Sequence, residues 1–180
     1  MIIVMSKYTA YWKDFINELA KIKKISEFLD GLQSPFLRNC FDSIVSNPNL
    51  IADILYTAIY SSLESYFKKI KDAIILDHEQ NGNQQYISTQ YKLLYWEKED
   101  KEKRSDIVSK LQKLFPSSRN YRTKHRVYSS IQVGYSERNG IIHRGVRGTK
   151  TYTDVIKKTD EIVLFVKDCD IKIKRSFTFL

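Results

Sequence analysis

The strongest constraint on the fold is a long apolar stripe that follows Asn47-Pro48. Residues recur there at steps of three and four positions, which is the spacing of one face of an α-helix. The stripe consists of Leu50, Ile51, Ile54, Leu55, Ala58, Ile59, Ser62, Leu63, Tyr66, Phe67 and Ile70. Asn47 is a suitable N-cap and Pro48 suits the first turn, so we expect a helix from this point to about Leu76. Small residues near its middle would allow another helix to approach closely: Ala58, Ser61 and Ser62.

Further helical patterns lie on both sides of this stripe. They predict a first helix from Tyr8 to Leu29 that stops at Gly31, a polar loop at 78–85, helices near 88–96 and 107–115, a helix from Arg122 into Arg138, and a last helix from Thr151. Thr151 and Asp154 have the spacing of a capping box. The chain has only six Gly and three Pro among 180 residues. We therefore expect one all-α domain over residues 1–180, a bundle of about five or more helices. Residues 170–180 alternate like a short strand or form a basic tail, and both alternatives remain open.

The charge balance favours a polyanionic partner. Lys and Arg outnumber Asp and Glu by 30 to 21, which gives a net charge of +9 and a pI near 9.4. The excess is concentrated between Arg119 and Lys150, where Glu137 is the only acid. A phosphate backbone passing this region would gain from counterion release. The alternative is a soluble surface that merely carries excess lysine.

Motifs for cofactors and metals are missing from the sequence. It has no GxGxxG, Walker A, HExxH or CxxC pattern, and the three histidines lack the spacing of metal ligands. We therefore expect neither a cofactor nor a metal site. The two cysteines, Cys40 and Cys169, are expected to be reduced thiols. The opening MIIVM is too short for a signal sequence or a membrane span, so we expect a soluble cytoplasmic protein without membrane contact.

The segment RNGIIHRG, residues 138–145, carries the best candidate chemistry. Cleaving RNA without a metal ion requires a group that moves protons and a fixed cation that stabilises charge on the phosphate, while the substrate supplies its own 2′-hydroxyl. Histidine titrates near neutral pH, and arginine is a permanent positive fork. On a continuous helix, residues five apart diverge by about 140°. Arg138 and His143 would therefore meet through a break at Gly140, a helix end at His143, or a symmetric dimer that pairs two motifs.

This segment resembles the R-x4-6-H motif of HEPN-domain ribonucleases, in which the arginine is often followed by Asn, as Arg138 is by Asn139. Arg144-Gly145 is similar to the RiboL-PSP and MAE-type subgroups. The resemblance implies an all-α homodimer with both motifs in a shared cleft. It also implies metal-independent endoribonuclease activity, which is common in toxin–antitoxin and antiphage systems, where a cognate antitoxin or defence-system partner is expected.

The resemblance also implies residue roles. His143 would be the acid and base, Arg138 the ligand of the phosphate and transition state, and Asn139 a positioning residue. Glu64, on the long second helix, lies where such domains often have a polar residue facing the cleft. The substrate would be RNA, and three basic residues that follow the motif would guide its backbone: Arg144, Arg147 and Lys150.

Several alternatives remain beside this hypothesis. Arg119 to His125 also matches the motif, but the later match is favoured because Ile141 and Ile142 can anchor it to a core. Gly145 occupies the position where HEPN toxins paired with a nucleotidyltransferase carry the modified tyrosine, so that route of neutralisation is not expected. His143 could instead be a helix-terminal residue that suits the helix dipole, with Arg138 paired to Glu137 or another acid. The chain would then be a non-catalytic HEPN-like module that binds RNA, nucleotide or protein, or a scaffold whose aromatic first helix docks a larger protein.

Overall fold

The computed structural model describes residues 7–32, 48–81, 125–147 and 149–176, and all regular structure within these ranges is helical. Four helices follow one another: α1 (Trp12–Gly31), α2 (Pro48–Asn81), α3 (His125–Arg144) and α4 (Tyr152–Ser176). The all-α prediction is confirmed for this part of the chain. The helices predicted near 88–96 and 107–115 lie outside the described residues, as do Arg119 of the competing motif and Cys40.

Helices α1 and α4 run antiparallel along their length. The backbone N–H of Thr9, just before α1, donates to Asp170 Oδ2 at 2.9 Å. Further along α1, Lys23 Nζ lies 2.7 Å from Asp160 Oδ1. A later residue of α1 thus contacts an earlier residue of α4, so the two helices are antiparallel. Helix α2 packs on both of them, and α3 packs on α2 and α4.

The core lies between α1, α2 and α4. Helix α1 supplies Phe15 and Leu19, which are 3% and 0% exposed. The ring centroids of Phe15 and Tyr66 are 4.7 Å apart. Because Phe15 is buried against α2, it does not belong to an exposed docking face on α1. The buried apolar residues of α4 repeat at helical spacing: Val155, Ile162, Phe165, Val166, Cys169 and Ile173.

Asp170 is a fully buried carboxylate that joins three parts of the fold. It accepts hydrogen bonds from the backbone N–H and the hydroxyl of Thr9 and from the hydroxyl of Tyr66 on α2. Burial, followed by the hydrogen bond to Asp170, raises the pKa of Tyr66, so the phenol remains a proton donor. A buried carboxylate is tolerated where donors satisfy it, and these bonds fix the start of α1 on α2 and α4.

Helix α3 is seated on α2 at Gly134. A Cβ atom at this position would lie 2.5 Å from Tyr56 Oη and would meet the Tyr60 hydroxyl at still closer range, so a glycine is needed here. Tyr56 and Tyr60 are 1% and 0% exposed, although neither belongs to the predicted stripe of α2. Ile54, which does belong to it, is 60% exposed. In the N-terminal half of α2, the buried face is therefore the one that carries Tyr56 and Tyr60 and contacts α3.

The helix ends agree with several predictions and correct others. The Thr151–Asp154 capping box is formed: Thr151 N–H donates to Asp154 Oδ2 at 2.9 Å, and Asp154 N–H donates to Thr151 Oγ1 at 3.2 Å. Helix α1 ends at Gly31 as expected but begins at Trp12, and α2 continues to Asn81, through the first residues of the predicted loop. Residues 170–176 are neither strand nor tail but the last turns of α4, and 177–180 lie outside the described residues. None of these four helices has both the length and the apolar character needed to cross a membrane.

Candidate functional site

Helix α3 carries the whole R-x4-6-H segment without interruption. The helix continues through Gly140 to Arg144, so the break that would bring Arg138 and His143 together is absent. Their side chains therefore point about 140° apart. The Arg138 side chain is 13% exposed, whereas His143 is exposed in the last turn. One chain by itself does not bring the two motif residues onto one face.

Arg138 is held by partners from two helices. Its Nη2 lies 3.1 Å from Glu64 Oε2 on α2, and its Nη1 donates to Asn139 Oδ1 at 3.0 Å. The Tyr135 ring, one turn earlier on α3, lies 5.5 Å from the guanidinium carbon. The Tyr135 hydroxyl also donates to Oε1 of the same glutamate. The structure thus brings Glu64, Arg138 and Asn139 into one cluster, and it adds Tyr135.

In the Glu64–Arg138 pair, each side chain neutralises the charge of the other. Glu64 is 32% exposed, so the pair is partly withdrawn from water, and removing either partner would leave an uncompensated charge there. Arg138 Nε is buried and has no hydrogen-bond partner among the described residues. The acid that neutralises Arg138 is Glu64, whereas the neighbouring Glu137 is bonded elsewhere.

The end of α3 exposes His143 and its basic neighbour. Gly145 adopts a left-handed conformation with φ of 66°, and the N–H of Val146 donates to the carbonyl of Gly140 at 3.3 Å. A glycine at 145 is therefore explained by helix termination. His143 and Arg144 lie in the last turn, where positive charge suits the helix dipole.

The segment after α3 is fastened to α2. Thr149 Oγ1 and the backbone N–H of Lys150 donate to Asp53 Oδ1 at 3.3 and 3.0 Å, and Asp53 is 1% exposed. Lys150 Nζ lies 2.8 Å from Glu137 Oε1 and 4.8 Å from the centroid of the Tyr56 ring. The Lys150 side chain is only 12% exposed. It is consequently part of the fold rather than an open cation.

Glu137 gathers the remaining polar contacts of this corner. Its Oε2 accepts a hydrogen bond of 2.8 Å from the Tyr56 hydroxyl, in addition to the pair with Lys150. Burial alone would raise the pKa of Glu137, but the bonds from Lys150 and Tyr56 outweigh it and lower the pKa. Burial, and after it the neighbouring Tyr60 and Glu137, raises the pKa of Tyr56. Glu137 is therefore a charged acceptor that Tyr56 and Lys150 hold in place.

Of the three basic residues predicted to guide RNA, two are open to solvent. Arg144 and Arg147 are exposed, while Lys150 is occupied by Glu137. No sequence pattern indicated Asp53, Tyr56 or Tyr135 as site residues, because their contacts depend on how α3 and the following segment lie against α2. The available signal for Tyr135 was its position one helical turn before Arg138.

The described residues contain no group of three or more His, Cys, Asp or Glu side chains arranged to hold a metal ion. Comparison of the chain with protein-family models, with curated proteins and with solved structures gives no match.

Proposed function

We propose that this chain is an endoribonuclease of the HEPN type, working as a homodimer without a metal cofactor. The observation that carries the proposal is the difference in environment between the two motif residues. Arg138 is held in place from two helices, and His143 stands exposed at the end of the same helix in a basic region. A fixed cation and an accessible imidazole are the two groups that metal-free RNA cleavage requires.

In this proposal His143 removes the proton from the ribose 2′-hydroxyl. The 2′-oxygen then forms a bond to phosphorus while the bond from phosphorus to the 5′-oxygen breaks. The leaving 5′-oxygen takes up a proton from a protonated His143. Arg138 stabilises the negative charge on the non-bridging oxygens, and Asn139 orients the guanidinium through their 3.0 Å hydrogen bond. The products carry a 2′,3′-cyclic phosphate and a 5′-hydroxyl.

The direction of the side chains supports the proposed homodimer. Because α3 is continuous, one copy points Arg138 and His143 to different sides. We propose that two copies related by a twofold axis pair the arginine of one motif with the histidine of the other. The resemblance adds the further proposal of a toxin or antiphage effector with a cognate partner, which rests on the motif alone.

The contacts of Glu64 change its proposed role. Both of its carboxylate oxygens accept bonds from the protein, one from Arg138 and one from Tyr135. A carboxylate would also repel an RNA phosphate at short range. We therefore assign Glu64 to holding Arg138 and not to binding substrate, and we assign the guiding of RNA to Arg144 and Arg147 without Lys150.

The test is cleavage of total RNA and tRNA by the purified protein in EDTA. We expect cyclic-phosphate ends from the parent, and a loss of about 10²-fold or more in His143→Ala, the usual size for an acid–base group. Arg138→Ala should also be inactive once circular dichroism shows that it is folded. His78→Ala removes a histidine outside the motif and is the matched control. No cleavage by the parent, or equal cleavage by His143→Ala, contradicts the proposal.

The dimer needs its own measurement. Analytical ultracentrifugation in the assay buffer should show a dimer at the concentrations at which cleavage is observed. Active protein that sediments only as a monomer contradicts the paired cleft, although the ribonuclease proposal would then stand on the cleavage data.

A second candidate is a non-catalytic HEPN-like module that binds RNA, nucleotide or a protein partner. The observation in its favour is that Arg138 is 13% exposed and already neutralised by Glu64. RNA binding by the parent without cleavage, retained in His143→Ala, would support this candidate.

A further inference from the structure

Tyr135 contacts both members of the Glu64–Arg138 pair. Its hydroxyl donates to Glu64 Oε1, and its ring lies 5.5 Å from the guanidinium carbon of Arg138. Tyr135 and Arg138 are three residues apart on α3 and therefore lie on the same face. Since Glu64 comes from α2, the Tyr135 side chain joins α2 and α3 at the ion pair that holds Arg138, the candidate phosphate ligand.

The position of the Tyr135 ring is itself fixed by α2. The ring of Tyr60 meets it edge to face, with 5.7 Å between the centroids. Tyr60 is fully buried, and its hydroxyl donates to the carbonyl of Ile131 at 3.3 Å. Tyr135 thus packs against Tyr60, which cannot move without disturbing the packing of α2 on α3.

This arrangement restricts a group that would otherwise have considerable freedom. An arginine side chain has many rotamers, and a single ion pair with a partly exposed carboxylate leaves both partners free to turn. The Tyr135 hydroxyl fixes the second oxygen of Glu64, and its ring limits movement of the guanidinium. Together these contacts define the direction in which Arg138 presents its remaining N–H groups.

We propose that Tyr135 is a positioning residue that sets the orientation of Arg138, through Glu64 and through its own ring. Its consequence for catalysis rests on the proposed function, whereas the contact itself does not. Loss of the hydroxyl alone should loosen Glu64 and, through it, the guanidinium, while the ring and the packing remain. Tyr135→Phe makes this change without altering the shape of the side chain.

The test combines NMR of arginine side chains with RNA cleavage. In 15N-labelled full-length protein, the Nε–H signal of Arg138 is assigned by its disappearance in Arg138→Lys. Tyr135→Phe should shift this signal and speed its exchange with water. It should also lower kcat by roughly threefold to tenfold, the size of one hydrogen bond, with KM changed by less than about twofold. Tyr152→Phe removes a buried phenol near Asp30 and should leave both measurements unchanged.

The two arms separate the possible failures. An Arg138 signal that is the same in Tyr135→Phe and the parent overturns the positioning role, whatever the cleavage data show. A shifted Arg138 signal with unchanged kcat overturns the importance of Tyr135 for catalysis. If the parent cleaves no RNA, the proposed function fails, and the NMR comparison still decides whether Tyr135 orients Arg138.

Discussion

The ammonium group of Lys150 lies 2.8 Å from Glu137 Oε1, on the face of the Tyr56 ring. This ion pair joins the segment after α3 to α3 itself, and the Tyr56 hydroxyl joins α2 to the same carboxylate. A basic residue that the sequence places among the RNA-guiding cations therefore has a structural role.

Lys150→Met should lower the free energy of unfolding by about 1–2 kcal/mol, because it leaves Glu137 with only part of its partners and removes the contact with Tyr56. Urea denaturation at pH 7 measures the change. Arg147→Met, in the same segment but exposed, is the matched control and should change stability by less than about 0.5 kcal/mol. Equal stability of the two variants would show that the Lys150–Glu137 pair contributes nothing.

Arg144→Ala and Arg147→Ala should weaken RNA binding while changing stability by no more than about 1 kcal/mol. Each phosphate contact removed should reduce the slope of log K against log salt by about 0.7, the value for single strands. Fluorescence anisotropy with a labelled RNA at several salt concentrations measures this slope. Lys150→Met, whose charge is already neutralised by Glu137, should keep the parental slope. An unchanged slope in the Arg144→Ala/Arg147→Ala double variant argues against a phosphate path along this segment.

Gly134→Ala should destabilise the protein by about 1–3 kcal/mol, because the added methyl group meets the buried Tyr56 and Tyr60 hydroxyls. Helix propensity alone would predict the opposite sign. Gly140→Ala is the control on the same helix: its nearest neighbour would be Val146 Cγ2 at 4.0 Å, so it should stabilise by up to about 1 kcal/mol. Thermal or urea unfolding decides, and a stable Gly134→Ala would mean that α3 is not seated on the tyrosines.

Glu161 should make stability depend on pH in the acid range. Lys158 Nζ and Ser130 Oγ lie 2.7 and 2.6 Å from its Oε2. Burial alone would raise the pKa of Glu161, but these bonds outweigh it and lower the pKa from its usual 4.5. The stabilisation is therefore complete above about pH 4.5 and is lost as the pH falls through the lower value of the folded state.

The measurement is urea denaturation of the parent and Glu161→Gln between pH 7 and pH 3. The parent should be more stable at pH 7, and the difference should shrink below about pH 4.5. Glu18→Gln, an exposed carboxylate on α1, is the control for loss of one surface charge. A difference that stays constant down to pH 3 would exclude the ion pair as its cause.

Local signals in the sequence were sufficient for the four described helices and for some of their ends. The Thr151–Asp154 capping box and the stop at Gly31 depend on neighbouring residues, and both are found where the sequence places them. The alternation over 170–176 was misleading because this segment is helical, and Asp170 and Ile173, three residues apart, both lie on the buried face of α4. Gly140 suggested a break, but a glycine within a helix costs only about 1 kcal/mol, which packing can outweigh.

The candidate site was less accessible to sequence analysis. The divergence of Arg138 and His143 follows from the continuity of α3 through Gly140, which the sequence left open. The pairing of Arg138 with Glu64, 74 residues away, depends on the packing of α3 against α2. Tyr56 and Tyr60 were missed for the same reason, since the space that accommodates their hydroxyls is created by Gly134 on another helix.

The hydrogen bond between Thr9 and Asp170 spans 161 residues of sequence, and it has a consequence for biosynthesis. During translation α1 leaves the ribosome before α4, so the part of its apolar face that packs on α4 has no native cover until α4 has been made. A nascent chain that already contains the Arg138–His143 segment still lacks α4, one of the two helices on which α1 packs. If the chain is a ribonuclease, the order of synthesis thus delays the folded, RNA-cleaving state until α4 has emerged from the ribosome that made it.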